Sequence, residues 1–271
     1  MTLGLWAGLL SLVRNRGLIV QMTVRDIEMR YKNSVLGIVW VIGQPILQLL
    51  LYGFVFQIVL RSKWGLTLAN GSEVPFGLVL YAGIMMHALI ADTLVRSPSF
   101  ILSNTSYVKR VIFPLEVLPL VNVLSGIVSV MASIVILIAV TAYASSHVHK
   151  TILLLPIPVV LLALFTMGCG WFLSAIGVFF RDLGQLTTTL ASVMLFTAPI
   201  CYPAEMVPLK YRWLLDINPL TIPVECVRSL VFIGHYDQWN RLGAYALVAI
   251  AVAAIGHITF HRMRAGFADA L

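Results

Sequence analysis

The sequence predicts an all-α, polytopic membrane protein: six transmembrane helices, an interfacial amphipathic helix at the N-terminus, and short re-entrant helices before the last span. Composition is the first observation behind this. Of 271 residues, 60% are hydrophobic and 11% charged, against the ~25% charged residues of an ordinary soluble domain. Mean hydropathy is +0.95. So few charges cannot cover the surface of a globule this size. The second observation is that uncharged stretches recur at the ~20 residues a bilayer-spanning helix needs. The third is that the segments between them are short, which leaves one transmembrane domain over 1–271 and no room for a second folded unit.

The elements follow in order. Residues 1–32 carry Leu3, Trp6, Leu9, Leu10 and Val13 at helical spacing, and Arg14-Asn15-Arg16-Gly17 then breaks the pattern. Ile19, Met22, Ile27 and Met29 follow among Arg25, Asp26, Glu28 and Arg30. A signal peptide fits badly, because no basic residue precedes the apolar run and no small-residue cleavage site follows it. A helix lying in the membrane interface fits better. Span one covers 35–59 and contains Pro45, which removes an intrahelical hydrogen bond. Span two covers 74–95, with His87 inside and Asp92 near its end, four residues before Arg96, so that the two charges can pair on one helix face. Span three covers 117–145 and span four 153–180. Arg181-Asp182 then turns the chain into span five, 183–202, so that spans one to five occupy 35–202. Span six covers 242–260.

Lysine and arginine set the expected orientation. With the N-terminus inside, the cytoplasmic segments hold Arg14, Arg16, Arg25, Arg30, Lys32, Arg96, Lys109, Arg110, Arg181, Arg262 and Arg264. The two short external loops hold only Arg61, Lys63 and Lys150. Both termini are therefore expected in the cytoplasm. The same bias accounts for the net charge of +7 better than nucleic-acid binding does. Cys169, Cys201 and Cys226 have neither CxxC spacing nor basic neighbours that would mark a reactive thiol.

Residues 203–240 are apolar but broken by Pro203, Pro208, Pro219 and Pro223, and carry Glu205, Asp216, Glu225 and Arg228. A seventh span is one reading, although 220–233 is only long enough to half-cross. Two short helices dipping into the outer leaflet fit better. Non-helical backbone at that depth survives only where protein or a watery cavity covers it, so the segment is expected to cap something water-filled.

Several chemistries are missing from the sequence. No lysine follows a glycine, so there is no GxxxxGK[ST] phosphate loop. HExxH and GxSxG are absent too. Asp92, Glu116 and Asp182 sit at span ends rather than at mid-membrane, where an ion-coupled carrier places its ionisable groups. His87 reads as a packing residue. His257 and His261 share a helix face and read as a polar cuff rather than a metal site. Thr187-Thr188-Thr189 reads as helix–helix hydrogen bonding rather than a substrate ladder.

Arg30-Tyr31-Lys32-Asn33-Ser34-Val35-Leu36-Gly37-Ile38-Val39-Trp40 with Pro45, Phe179-Phe180-Arg181-Asp182-Leu183, and Asn218-Pro219-Leu220 before Glu225 and Arg228 resemble the permease subunit of type-2 ABC exporters. The likeness is greater to the branch that exports lipid-linked polysaccharide (O antigen, capsule or teichoic acid), and it covers essentially the whole chain. It implies a single permease domain in the bacterial cytoplasmic (inner) membrane, forming a homodimer with two copies of a separate cytoplasmic ATPase. The chain itself would be no enzyme and hold no cofactor or metal, with ATP and Mg bound by the partner. It further implies a channel at the dimer interface and a coupling helix on the ATPase between spans two and three. The matching stretch is 103–113, with Ser103, Asn104 and Thr105 able to cap a short helix, then Ser106, Tyr107, Val108, Lys109 and Arg110.

A sugar chain offers hydroxyls and flat CH faces, so a channel for it needs aromatic rings beside amides. Trp40, Gln44, Gln48, Tyr52, Phe54 and Phe56 of span one, with Phe196 and Tyr202 of span five, are the candidates. Arg25, Arg30 and Lys32 are candidates for the lipid pyrophosphate at the cytoplasmic entrance, alongside ordinary binding of anionic lipid. Pro208, Lys210, Arg212, Pro219, Pro223 and Arg228 are candidates for an external gate. Two other functions compete: a type-2 exporter of a drug or other lipid, and an integral membrane enzyme acting on lipid-linked sugars. The enzyme needs paired carboxylates or a metal motif near one membrane face. Asp26 and Glu28 come nearest, and their charged neighbours mark a solvated helix face.

Overall fold

A computed structural model describes residues 14–32, 34–67, 71–105, 114–145 and 148–267. Among these the protein is helical, apart from one isolated bridge between Thr67 and Glu73. The helices are α1 (Arg16–Tyr31), α2 (Trp40–Tyr52), α3 (Phe76–Phe100), α4 (Val117–Ser145), α5 (Pro156–Gly177), α6 (Leu183–Thr197), α7 (Trp213–Ile217), α8 (Thr221–Arg228) and α9 (Trp239–Met263). Wide π turns extend α2 over Gly53–Val59 and α8 over Ser229–Ile233.

Five stretches among the described residues are long and apolar enough to cross a bilayer: Gly37–Val59, Phe76–Phe100, Val117–Ser145, Lys150–Gly177 and Trp239–Gly266. They coincide within a few residues with expected spans one, two, three, four and six. The fifth differs. Its helix stops at Thr197, so its 15 residues reach about 22 Å at ~1.5 Å per residue, short of the ~30 Å hydrocarbon layer. Ala198 is extended, and the following Pro199 cannot donate to the helix ladder. Thr187, Thr188 and Thr189 also depart from expectation. Each hydroxyl donates to a carbonyl one turn back in α6, Gly184 or Gln185, and none bridges to another helix.

Burial identifies α3 as the centre of the bundle. Two thirds of its apolar window (67%) is enclosed, against 6% for Gly37–Val59. It packs against α4, α5, α6 and α8, while α9 lies along α5 and α1 lies along α4. His87 of α3 approaches α6 through Nε2, 2.9 Å from the Ala191 carbonyl, consistent with packing. The α5–α9 crossing is so close that a Cβ on Gly168 would stand 2.6 Å from the Ala253 amide nitrogen, and one on Gly256 would overlap the Gly168 carbonyl. Small residues are how membrane helices, lacking a hydrophobic drive between them, gain backbone contact.

Because α4 runs opposite to α3, α5 and α9, the bundle has two distinct ends. At the first, α3 ends, α4 begins and α5 and α9 end. This basic end carries Arg96, Arg181, Arg262 and Arg264. The opposite end carries residues 60–67, 71–75 and 148–155 and the segment between α6 and α9. Replacing Gly256 by Val is expected to cost about 1–3 kcal/mol by overpacking against backbone. Gly243→Val in the same helix, with open space around it, should leave the thermal unfolding midpoint in detergent unchanged.

Candidate functional site

At the basic end, one face of α1 runs Ile19, Thr23, Asp26, Arg30, spaced by three or four residues so that all turn the same way. Ile19 packs on Val117 and Val121 of α4. Asp26 and Arg30 meet the end of α3. Arg96 donates to Asp26 at 2.7 Å, and Arg30 donates to Asp92 at 2.8 Å and to Asp26 at 3.1 Å. Asp92 and Arg96 pair within α3 at 3.6 Å, as their spacing predicts. Asn122 of α4 accepts a longer bond from Arg30 at 3.4 Å. Two carboxylates and two guanidiniums thus join α1 and α3 in one closed cluster, which Asn122 ties to α4.

This corrects the reading of Asp26 as part of a solvated face. Its side chain is 15% exposed, because the arginines that compensate it lie across the helix interface rather than in water. Burial would raise the Asp26 carboxyl, but the Arg96 hydrogen bond and the charges of Arg96 and Arg30 outweigh it and hold the group below its usual 3.8. Glu28 remains outside the cluster. Of the cationic candidates, Arg30 is committed to two carboxylates, Lys32 is exposed at the end of α1, and Arg25 lines a groove of about 450 Å³.

The same groove is lined by Asp26, Arg96, Ser103 and Asn104, which brings the start of the expected coupling segment beside α1. The side chains of Ser103 and Asn104 donate to the Phe100 carbonyl at 3.1 and 2.8 Å, closing α3. Thr105 is the last described residue here. Ser106, Tyr107, Val108, Lys109 and Arg110 lie outside the described residues.

From the cluster a crevice of about 170 Å³ rises between α2, α3 and α4. Arg30 and Asp92 stand at its foot, and Gln44, Gln48, Ser129 and Ser133 line it further in. Val41 lines it as well, and Pro45 deprives its carbonyl of the helical donor. The eight channel candidates are not gathered into one cavity of the single chain. Gln44 and Gln48 face this crevice. Tyr52 and Phe56 turn toward the core, Phe56 stacking on Phe76 at 5.4 Å. Trp40 is half-buried over Gly43, whereas Phe54 and Phe196 stand on the outer surface. Tyr202 donates to the Phe196 carbonyl at 2.8 Å, folding back over the end of α6.

At the opposite end, the segment after α6 is held by side chains that take over the work of helical bonds. Asn218 donates to the Met194 carbonyl and to the Thr197 hydroxyl, both at 2.8 Å, and its Oδ1 accepts the Leu220 amide at 3.0 Å. It therefore closes α6 and starts α8 at once. Thr221 donates to the Leu215 carbonyl at 2.6 Å. Arg228, 5% exposed, donates through Nε to Val79 of α3 at 3.0 Å, through Nη2 to Ile200 at 2.9 Å, and through Nη1 to Pro199. The Trp64 ring covers the guanidinium, 4.4 Å from its centroid. Gly83 makes the room, since a Cβ there would lie 3.0 Å from Nη2 and 2.9 Å from Ile200.

Pro223 falls in the first turn of α8, where its missing amide costs nothing, and Pro219 sits in the turn before it. Pro208, Lys210 and Arg212 are exposed, with Arg212 donating to the Val207 carbonyl at 3.1 Å. Reading the sequence did not find Asn122 or Trp64. Asn122 was visible as a lone amide in an apolar span. Trp64 had no local signal.

The His257 and His261 rings lie 4.4 Å apart, tilted at 57°, and His257 meets Trp171 edge-on at 5.0 Å. Among the described residues no three His, Cys, Asp or Glu side chains come together as a metal site.

An antiparallel bundle of bilayer-length helices with no phosphate loop defines a membrane-embedded, multi-pass protein. The family model for the ABC-2 type transporter matches residues 17–232, and the chain belongs to that family. Two relatives from Klebsiella pneumoniae, each named "O-antigen export system permease protein RfbA", are 27% and 26% identical over 256 residues, 94% of this chain and 95% of theirs. A relative of the same name from Myxococcus xanthus is 23% identical over 263 residues, 96% of this chain and 98% of its own.

The four-charge cluster makes a thermodynamic prediction. Removing one buried partner strands the others, so Asp26→Asn and Arg96→Gln should each destabilise by about 1–3 kcal/mol. Their effects should be non-additive in a double-mutant cycle. Because the Asp26 carboxyl is depressed, its contribution is present above 3.8 and is lost as pH falls below that value toward its folded pKa. Denaturant unfolding in detergent between pH 5 and pH 3, a window set around ~3.9 for an unperturbed aspartate, should show a steeper acid loss in the native protein than in Asp26→Asn.

Proposed function

We propose that the chain is the membrane-spanning permease of an ATP-driven exporter that moves lipid-linked polysaccharide, O antigen by preference to capsule or teichoic acid, across the bacterial cytoplasmic membrane. The observation that carries this is the near end-to-end match to O-antigen export permeases combined with membership of the transporter family. The missing phosphate loop assigns ATP and Mg to a separate ATPase, two copies of which would serve a homodimer of this chain. The basic end then faces the cytoplasm with both termini, α6 with residues 198–202 makes a sixth crossing, α1 lies at the interface, and the whole chain acts as one permease domain.

In this reading the channel forms between two copies along the little-covered α2 with its extension and along α6, where Phe54 and Phe196 stand on the outer surface and Trp40, Gln44, Gln48, Tyr52, Phe56 and Tyr202 join them as the helices part. Amides and ring faces make weak, repeated contacts with a sugar chain, so the polymer slides rather than stalls. Arg25 and Lys32 meet the pyrophosphate at the cytoplasmic entrance. Arg30 can join them only by releasing Asp92. Ser103 to Arg110 rests on the ATPase. The groove that Ser103 and Asn104 share with Arg25 and Asp26 supports a mechanical link: a push on the coupling segment reaches α1 through the charge cluster. The segment 203–240 serves as an external, re-entrant gate, supported by its contacts with the start of α3 and the end of α6.

Deleting the gene is expected to abolish surface polysaccharide and to accumulate its lipid-linked form inside the cell, measured by gel and by mass spectrometry of extracted lipid. Accumulation of another lipid, with normal surface polysaccharide, contradicts the substrate assignment.

A further inference from the structure

Beside Arg228, at the end of the bundle that the exporter reading places outside, the gate segment and the link through Trp64 enclose an open cavity of about 510 Å³. Its size lies within the ~300–1,000 Å³ of small-molecule sites. None of its polar wall belongs to the channel candidates. Glu205, Glu225 and Asp237 line it together with Arg212, Arg228 and Arg241. Three carboxylates against three guanidiniums leave no net formal charge among them, so the wall as a whole favours an ion of neither sign.

The guanidiniums are held in place: Arg228 by three backbone carbonyls, Arg212 by the Val207 and Glu205 carbonyls, and Arg241 by Asp216 and Gln238, and each keeps further N–H groups beyond these bonds. The carboxylates are open. Those of Glu205 and Glu225 accept no hydrogen bond among the described residues, and Asp237 has only His235 at 3.7 Å. Burial raises the Glu225 carboxyl, against the lowering charges of Arg241 and Arg228, as expected for an acceptor held partly out of water without a donor. Trp64 and Tyr236 add apolar wall. A site that is neutral overall and sets open carboxylate acceptors beside guanidinium and amide N–H groups and aromatic wall fits a ligand that brings many hydroxyls, which both donate and accept, and no charge.

We propose that this cavity is a saccharide site, binding a neutral, polyhydroxylated sugar residue of the exported chain as it leaves the membrane. The proposal rests on the polysaccharide-export reading and adds a second station for the glycan, outside the channel. Glu225 and Asp237 accept hydrogen bonds from sugar hydroxyls, while the guanidiniums hold the walls in place.

The test uses the full chain in nanodiscs and, as probe, the polysaccharide released by mild acid from the surface of the producing strain, with dextran of similar length as control. Binding of the native polymer is expected to weaken about fivefold to tenfold in Glu225→Gln, since hydrogen bonds to charged groups are the stronger class. Asp237→Asn, at a side chain 84% exposed and so free of folding consequences, should weaken it in the same direction. Dextran should bind more weakly. If the deletion strain lacks surface polysaccharide yet neither variant changes polymer binding, or the native protein binds none, the saccharide site is overturned and the exporter reading stands. Competition by Mg or by inorganic phosphate that depends on Glu225 also overturns it, by showing an ion site. If the deletion strain keeps its surface polysaccharide, the exporter reading falls and takes the proposal with it.

Discussion

Inside a bilayer a backbone carbonyl without a donor costs several kcal/mol, and that constraint governs the broken path between α6 and α9. Between Thr197 and Trp239 the path is broken by prolines and short turns. Two side chains supply donors at the junctions. Asn218 satisfies the last turn of α6 and opens α8. Arg228 satisfies Pro199, Ile200 and Val79. Both belong to the 218–228 stretch on which the resemblance to type-2 ABC exporters partly rests, and in this fold they are donors for carbonyls that no helix serves. Charge on Arg228 makes these bonds strong, and the Trp64 face makes up for part of its lost hydration.

The two ends of the bundle solve the burial of charge in different ways. At the basic end, opposite charges from α1 and α3 neutralise one another, so the cluster can rearrange by exchanging partners while every charge remains paired. At the other end Arg228 binds dipoles fixed in the backbone, which cannot exchange. The first arrangement suits a joint that must move when a partner pushes on it, and the second suits an anchor from which a cap can hinge. The enclosed α3, running from Val79 beside Arg228 to Arg96 in the cluster, connects them, with the Gln44 and Gln48 crevice along its flank.

Much of the fold was legible in the sequence because bilayer thickness dictates the length of each apolar run. The helices Val117–Ser145 and Phe76–Phe100 lie where hydropathy puts them. The short fifth helix was not legible, since the apolar run continues past Thr197 while the helix does not. Local pairs such as Asp92 and Arg96 could be read from their spacing of four. Their partners on α1 could not, because nothing local connects residues 26 and 96. The same limit explains Asp26, whose charged neighbours suggested water when the compensating charges came from another helix. Arg228 was visible as a lone cation in an apolar segment, but its partners are carbonyls, which carry no residue signature. The threonine run in α6 was misread because a hydroxyl can bond its own helix as readily as a neighbour.

The central claim is that the segment between α6 and α9 returns to the end of the bundle from which it departs, held there by Asn218 and Arg228. Single cysteines at Lys210 and at Gln238, in a chain whose Cys169, Cys201 and Cys226 are replaced by serine or alanine, test it directly with a membrane-impermeant thiol reagent on intact cells stripped of their outer layers. Both positions labelled from outside, with protection of neither, is the predicted result. Labelling of one from outside and the other only after the membrane is opened would make the segment a further crossing and contradict the account.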